Sequence, residues 1–268
     1  MTSVLYRAPA VVYPKAVTAQ GMYISDDKGK RYLDMSGGAA VSCLGHAHPD
    51  VVDAVRRQVG TLAFAHTAFF TNEPQERLAR RLVERFGDPG ARAYFTSGGS
   101  EANETALKIA WQYWAARGEP DRKVVISREH SYHGNTFGAL SISGNPARRR
   151  ASAAPLLDWP RIAPCYAYRG RLAGESLESY VERVAAELER AILDVGAGRV
   201  AAFVCEPVVG SSLGVVPAEP GYLQRIRAIF CNAGWLQRSC FYQGGSSSNS
   251  KIPKQCQMFN DNSRLKWV

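Results

Sequence analysis

The spacing of apolar positions divides the chain into alternating runs. Residues 1–20, with Pro9 and Pro14 and no sustained period, read as irregular. M-Y-I at 22–24 and R-Y-L at 31–33 flank D-D-K-G at 26–29, which predicts a hairpin. Pro49 predicts the start of a helix reaching about Gly60. Pro74 opens another, in which Leu78, Leu82, Val83 and Phe86 share a face and Gly87 marks the stop. A short β-prone run at 93–96 breaks at S-G-G-S, 97–100, and a helix-period segment follows at once. Its Leu107, Ala110, Trp111 and Trp114 keep a 3/4 spacing, and Gly118 with Pro120 marks its end. K-V-V-I-S at 123–127 and V-A-A-F-V-C at 200–205 read as buried strands. Residues 144–174, with several Pro and Gly, read as a long excursion. A helix over 176–194 follows, carried by Leu177, Tyr180, Val181, Val184, Leu188 and Ile192, and 220–230 reads as one more. Strands alternating with helices of this length predict an α/β fold: a mostly parallel sheet with helices on both faces.

The pattern changes after Phe230. G-G-S-S-S-N-S at 244–250 is a flexible low-complexity run and no amphipathic period is sustained to the end. The formal charge of +9 suggests a polyanionic partner until it is located. From Cys231 onward five basic residues stand against one acidic residue, a net +4, which leaves +5 for the body. There the single basic cluster, Arg148 to Arg150, reads as a solvated loop, so no nucleic acid is expected. Six cysteines without a C-x-x-C pair argue against a zinc site or a disulfide framework. His46 and His48, one residue apart, read as a tight loop before a helix rather than a metal site. No apolar run approaches the roughly 18 residues of a membrane span, and the N-terminus has no charged region followed by an apolar core. A cytoplasmic protein without membrane contact is expected.

The candidate chemistry lies at 94–108. Strand, glycine loop and helix make an anion site, because glycines let backbone N–H groups converge and the helix N-terminus favours negative charge. Ser97 and Ser100 can cap the helix or offer hydroxyl donors. A nucleotide P-loop needs a lysine directly after its last glycine, and a dinucleotide fingerprint needs G-x-G-x-x-G; this loop has neither, which leaves a small phosphorylated cofactor. The polar loop R-E-H-S-Y-H-G-N-T at 128–136 follows a strand, where open α/β sheets place ligands, and Tyr132 beside His133 could cover a planar ring. Glu206 stands at the end of another strand.

Five passages together resemble the class-III aminotransferases, pyridoxal-phosphate enzymes of fold type I. They are G-K-R-Y-L-D at 29–34, L-G-H-A-H-P at 44–49, S-G-G-S-E-A-N-E at 97–104, S-Y-H-G at 131–134 and E-P-V-V-G at 206–210, in the family's order from about residue 12 to 230. The resemblance implies an incomplete fold-type-I large domain over 61–230, an N-terminal segment with hairpin and helix over 1–60, and a non-matching, disordered tail over 231–268. It implies that Gly99 and Ser100, with Gly98 close by, hold the phosphate of pyridoxal 5'-phosphate. Tyr132 would stack on its ring, His133 would lie beside it and Glu206 near its phenolic side. The loop at 67–72 would face a partner subunit, since the family is dimeric. The reaction moves an amino group from a donor amine to the cofactor and on to a 2-oxo acid acceptor.

That reaction needs a Schiff-base lysine and an aspartate facing the pyridine nitrogen, which in the family follow a strand ending in D-E-V. No D-E-V occurs here, and none of the lysines at 15, 28, 30, 108, 123, 251, 254 and 266 stands in a matching context. The expectation is an aminotransferase truncated before its catalytic lysine, poorly soluble alone; the alternative is a catalytically silent short form that binds cofactor or a partner. Ser211 stands where some members that take diamine-type donors carry a second glutamate, which favours amino-acid or β/ω-amino donors.

Overall fold

The computed structural model describes residues 2–150 and 152–232, so nearly all of the expected tail at 231–268 lies outside the described residues. Two compact units divide the chain, the first ending at Glu76 and the second beginning at Arg77.

The first unit is built on an antiparallel meander of β1 (Ala16–Gln20), β2 (Tyr23–Asp26) and β3 (Arg31–Leu33), in which Tyr23 faces Leu33 and Ala16 faces Asp26. The predicted hairpin is present. Asp26 Oδ1 accepts the N–H groups of Lys28 and Lys30, both at 2.9 Å, and the Tyr32 hydroxyl donates to Oδ2 at 2.8 Å. β1 corrects the reading of 1–20 as irregular: its five residues become a strand by pairing with β2, which local pattern does not reveal. Next come a short turn, α1 (Gly37–Ala40), and α2 (Pro49–Thr61). Between them Asp34 gathers the loop. Its Oδ1 accepts from Ser36 and from the Gly37 N–H, and its Oδ2 accepts from the Ser42 hydroxyl at 3.1 Å and meets His46 Nε2 at 2.9 Å. His46 therefore has an acidic partner twelve residues back, which its immediate neighbours do not show.

The boundary falls in α3 (Glu73–Phe86), after which α4 (Gly99–Ala116) and β4 (Val124–Arg128) begin the second unit's layers. They are followed by α5 (Phe137–Ser141), α6 (Pro146–Arg150), β5 (Arg161–Ile162), α7 (Ala167–Gly170) and α8 (Leu177–Val195). β6 (Val200–Phe203), the hairpin of β7 (Val208–Val209) with β8 (Val216–Pro217), and α9 (Tyr222–Asn232) complete the unit. The central sheet has the order β5-β4-β6 and is parallel throughout, as expected. Alternation along the strands feeds two cores. Val125 and Ala201 pack with Leu107 and Trp114 of α4, whereas Ile126 and Val200 pack with Tyr180, Val184 and Leu188 of α8 and Ile226 of α9. Helices thus cover both faces, each large buried apolar side chain contributing about 2 kcal/mol. Trp114 also donates its indole N–H to Ala201 O at 2.9 Å, tying α4 to β6.

The β-prone run at 93–96 does not become a strand. A strand exists as half of a ladder, and none of the described strands pairs with these residues. α5 was not anticipated because five residues are too few to display a helical period.

Candidate active site

The loop following β4 is the centre of the site. It leaves the sheet at Arg128, turns through His130 (φ 56°), and returns as α5. Its base is held from two sides. Glu129 donates its N–H to Ile162 O at 2.8 Å and His130 to Gly144 O at 2.9 Å. The Ser131 hydroxyl donates back to Arg128 O at 2.6 Å. Glycine is required at 144, since a Cβ there would lie 2.1 Å from Arg128 O.

The far side of the loop is clamped by one face of α4. Ser100 Oγ accepts the Asn135 N–H at 2.9 Å, the Asn103 amide donates to His133 O, and Glu104 Oε1 accepts the N–H groups of Gly138 and Ala139 at 2.8 and 3.1 Å. Residues 100, 103 and 104 share a helix face by their i, i+3, i+4 spacing, so this clamp was recognisable as a polar stripe, although sequence reasoning gave Asn103 and Glu104 no role. Gly134 makes the approach possible. Its φ is 136°, and an added Cβ would stand 2.7 Å from Ser100 Oγ and 2.8 Å from both Ser100 Cα and Ala139 Cβ.

At the start of α4, Gly98 occupies the N-cap with extended backbone and no side-chain cap. Both serines are otherwise engaged, so the capping reading is corrected: the Ser97 hydroxyl donates to the Glu101 carboxylate, while Ser100 Oγ takes the Asn135 N–H. Ser100 thereby accepts one bond and keeps its O–H to give to an anion. Gly98 and Gly99 are exposed, and first-turn N–H groups have no partner within the helix.

The expected ring-binding residues lie on the same loop. Tyr132 donates its N–H to Glu206 Oε2 at 3.3 Å, which joins the loop to the end of β6. His133 is buried, its N–H given to Ser143 Oγ at 2.8 Å and its Nε2 unpartnered among the described residues. Burial holds its imidazole down to about 4, and the positive charge of Arg128 acts in the same direction. Burial raises the Glu206 carboxyl, opposed by the Tyr132 N–H and by Arg128. Thr136 Oγ1 is another buried oxygen without a partner among the described residues.

Of the six expected residues, Ser100, Tyr132, His133 and Glu206 are thus joined at one loop, and Gly98 and Gly99 directly precede Ser100. Two arginines join them unannounced. Arg128 is 1% exposed and donates through Nη2 to Glu206 O. Arg148 holds its guanidinium 4.4 Å from the centre of the Tyr132 ring. The basic run at 148–150 is therefore not simply a solvated loop: Arg149 Nη1 also donates to the carbonyls of Leu140, Ser141 and Ser143 at 2.8 to 3.1 Å, satisfying the C-terminal end of α5. Backbone N–H groups and a hydroxyl at a helix start, an aromatic face, a neutral imidazole and a carboxylate make a set of groups that suits a phosphate ester joined to a flat heteroaromatic ring.

Comparison with known proteins gives the family. The family model described as aminotransferase class-III matches residues 6–236. An uncharacterized aminotransferase of Schizosaccharomyces pombe is 42% identical over 225 residues, which are 84% of this chain and 49% of that protein. The chloroplastic gamma aminobutyrate transaminase 3 of Solanum lycopersicum is 37% identical over 79% of this chain and 41% of its own length. The omega transaminase of Pseudomonas jessenii in complex with PMP superposes with a TM-score of 0.79 at 32% identity, covering 86% of this chain and 52% of that one. The chain spans about half the length of the curated relatives it matches. With the family model matched over residues 6–236, the chain belongs to the class-III aminotransferase family.

Proposed function

We propose that the protein is a pyridoxal-phosphate-dependent aminotransferase and that this chain supplies the cofactor-facing part of its site. The observation that carries the reading is the single loop, 130–137, tied both to the first turn of α4 and to Glu206. Gly99 and Ser100, beside Gly98, hold the phosphate through N–H groups and the free O–H of Ser100. Tyr132 offers its ring as a wall, and His133 lies beside it as an uncharged imidazole at neutral pH. Glu206 accepts hydrogen bonds at the phenolic side. When bound, pyridoxal phosphate supplies an electron sink for bond breaking at the amine-bearing carbon. The amino group goes from an amino-acid or β/ω-amino donor to a 2-oxo acid acceptor, a substrate class in line with the relatives that are gamma aminobutyrate and omega transaminases. The protein works as a cytoplasmic homodimer with the loop at 67–72 toward its partner, and its parts are an N-terminal segment at 1–60, a partial cofactor-binding domain at 61–230 and a non-matching segment at 231–268.

No residue of this chain is assigned as the covalent lysine, since none of its lysines has a matching context. That observation favours a second reading, a short form that binds cofactor without turnover. The test mixes the full 268-residue chain with pyridoxal phosphate, an ω-amino donor and a 2-oxo acid, then adds borohydride and maps modified peptides by mass spectrometry. Saturable binding without trapping or product is expected of this chain. Trapping at a single lysine with product formation would make the chain itself catalytic and end the second reading, and absence of binding would end both.

A further inference from the structure

The loop that carries Tyr132 runs side by side with the segment that leads into α6. The Ser131 carbonyl and hydroxyl both accept the Gly144 N–H, at 3.1 and 3.0 Å, and the His133 N–H is given to Ser143 Oγ at 2.8 Å, so the two neighbours of Tyr132 are both tied to 143–144. Asn145 then secures the start of α6. Its Oδ1 accepts the Arg148 N–H at 3.2 Å, its carbonyl accepts the Arg149 N–H at 3.1 Å, and its amide donates to Ser212 Oγ at 3.2 Å, in the segment after β7. Arg149 anchors the same turn through the carbonyls of Leu140, Ser141 and Ser143. The backbone of Arg148 is thereby fixed against the loop, and its guanidinium stands over the Tyr132 ring, 4.4 Å from the ring centre. Tyr132 is half-buried and Arg148 exposed. Among the described residues no other ring or cation lies over the Tyr132 ring, and Arg148 has no carboxylate partner, so its charge is not committed elsewhere.

We propose that Arg148 is a positioning residue of the cofactor site: its guanidinium covers one face of the Tyr132 ring and holds the ring so that the opposite face meets a flat ligand. This rests on Tyr132 being the ring wall of the site, as proposed above. A tyrosine side chain swings about two torsions, and the bond from the Tyr132 N–H to Glu206 fixes its backbone alone. A ring that has to be ordered when the ligand arrives subtracts that ordering from the affinity, whereas a ring already held does not. A cation over the ring supplies the hold, because the aromatic face is the negative end of the ring quadrupole and the contact engages one face only. Arginine suits the role, since its planar guanidinium stacks on aromatic faces and does not lose its proton.

Calorimetric titration of the full chain with pyridoxal phosphate is the test. Arg148→Met is expected to bind about fivefold more weakly, the loss of one cation–π contact. Arg148→Lys, which keeps a cation within reach of the ring, stays within about twofold of the unmodified chain. Arg150→Met removes the same charge from an exposed neighbour on α6 and also stays within about twofold, which separates the ring contact from general attraction of an anionic ligand. In a Tyr132→Ala background Arg148→Met has no further effect, because the ring it acts through is gone. Circular dichroism checks the fold of each variant, and Arg148→Gln, read in the same way, replaces Arg148→Met if that variant does not fold. Unchanged binding in Arg148→Met overturns the proposal. Tighter binding overturns it by placing the guanidinium on the face that the ligand needs. A loss shared by Arg150→Met, or equal with and without the Tyr132 ring, overturns it by tracing the effect elsewhere. All of these leave the cofactor reading standing, because the unmodified chain still binds; absence of binding there ends that reading and this one with it.

Discussion

Gly134→Ala tests the geometry that brings the loop onto α4. The added methyl group would meet Ser100 Oγ at 2.7 Å, Ser100 Cα at 2.8 Å and Ala139 Cβ at 2.8 Å. Only the hydroxyl can rotate away; the other two atoms are set by α4 and α5, so the backbone must shift. Overpacking of this kind costs about 1–3 kcal/mol. A residue with a Cβ held at φ 136° adds about 1–3 kcal/mol of backbone strain. Displacing the Asn135 N–H from Ser100 Oγ forfeits a further ~1 kcal/mol. The three overlap, since one shift relieves part of each, and a net loss of about 3 kcal/mol is expected. Gly198→Ala is the control, because a Cβ there meets nothing within 4 Å and its φ is not in the left-handed region; its effect stays within about 0.5 kcal/mol. Urea unfolding of the full chain, followed by circular dichroism, reads both. Equal midpoints for Gly134→Ala and Gly198→Ala would refute the close approach of loop and helix.

Other expectations follow from the same geometry. Glu104→Ala strips acceptors from the N–H groups of Gly138 and Ala139 and is expected to cost about 2 kcal/mol in the same assay; an unchanged midpoint speaks against the clamp. Trp114→Phe leaves Ala201 O without its donor in a buried position and removes packing, with a loss of about 2–3 kcal/mol. Asp34 is held at about 2, first by the Ser36 hydroxyl and then by His46, against an ordinary value of 3.8. Its folded-state value is depressed, so the stability it lends is complete above the ordinary value and is lost as pH falls from about 4 through 2. Asp34→Asn should flatten that part of the pH profile of hydrogen exchange in residues 34–46, and an identical profile contradicts the assignment. α2 and α3 bury none of their residues, and Val55 and Val59 are each 60% exposed, so the isolated chain is expected to associate at micromolar concentration; a monodisperse monomer with a sharp melt goes against this.

Periodicity made the layered core legible. Leu107, Trp114, Tyr180, Val184, Leu188 and Ile192 are core residues in both readings because helices bury one stripe and the stripe recurs. What stayed hidden was whatever depends on a distant partner. β1 and the run at 93–96 have similar local character, yet the first finds a neighbouring strand and the second finds none among the described residues. Asp34 and His46, twelve residues apart, become a pair only when the loop closes. Arg128 was read as the first residue of a polar loop, and nothing in its neighbours announces that it is buried. Arg149 shows its purpose only once α5 exists and exposes carbonyls for it to cap. The glycine loop and the strand ends marked the six expected site residues and motif resemblance gave them roles, whereas the clamp on their loop, Ser100 with Asn103 and Glu104, is visible as one face only after the helix is drawn.

The start of α4 and the loop after β4 are proposed to form a cradle for the phosphate of pyridoxal phosphate. Calorimetric titration of the full chain with pyridoxal phosphate, and separately with pyridoxal, measures the phosphate's share directly. The account predicts saturable binding of the phosphorylated form, at least tenfold weaker binding of pyridoxal, and a loss of about tenfold for the phosphorylated form alone in Ser100→Ala, the loss expected for one hydrogen bond to a charged group. Equal affinity for the two forms, with Ser100→Ala indistinguishable from the unmodified chain, would contradict it.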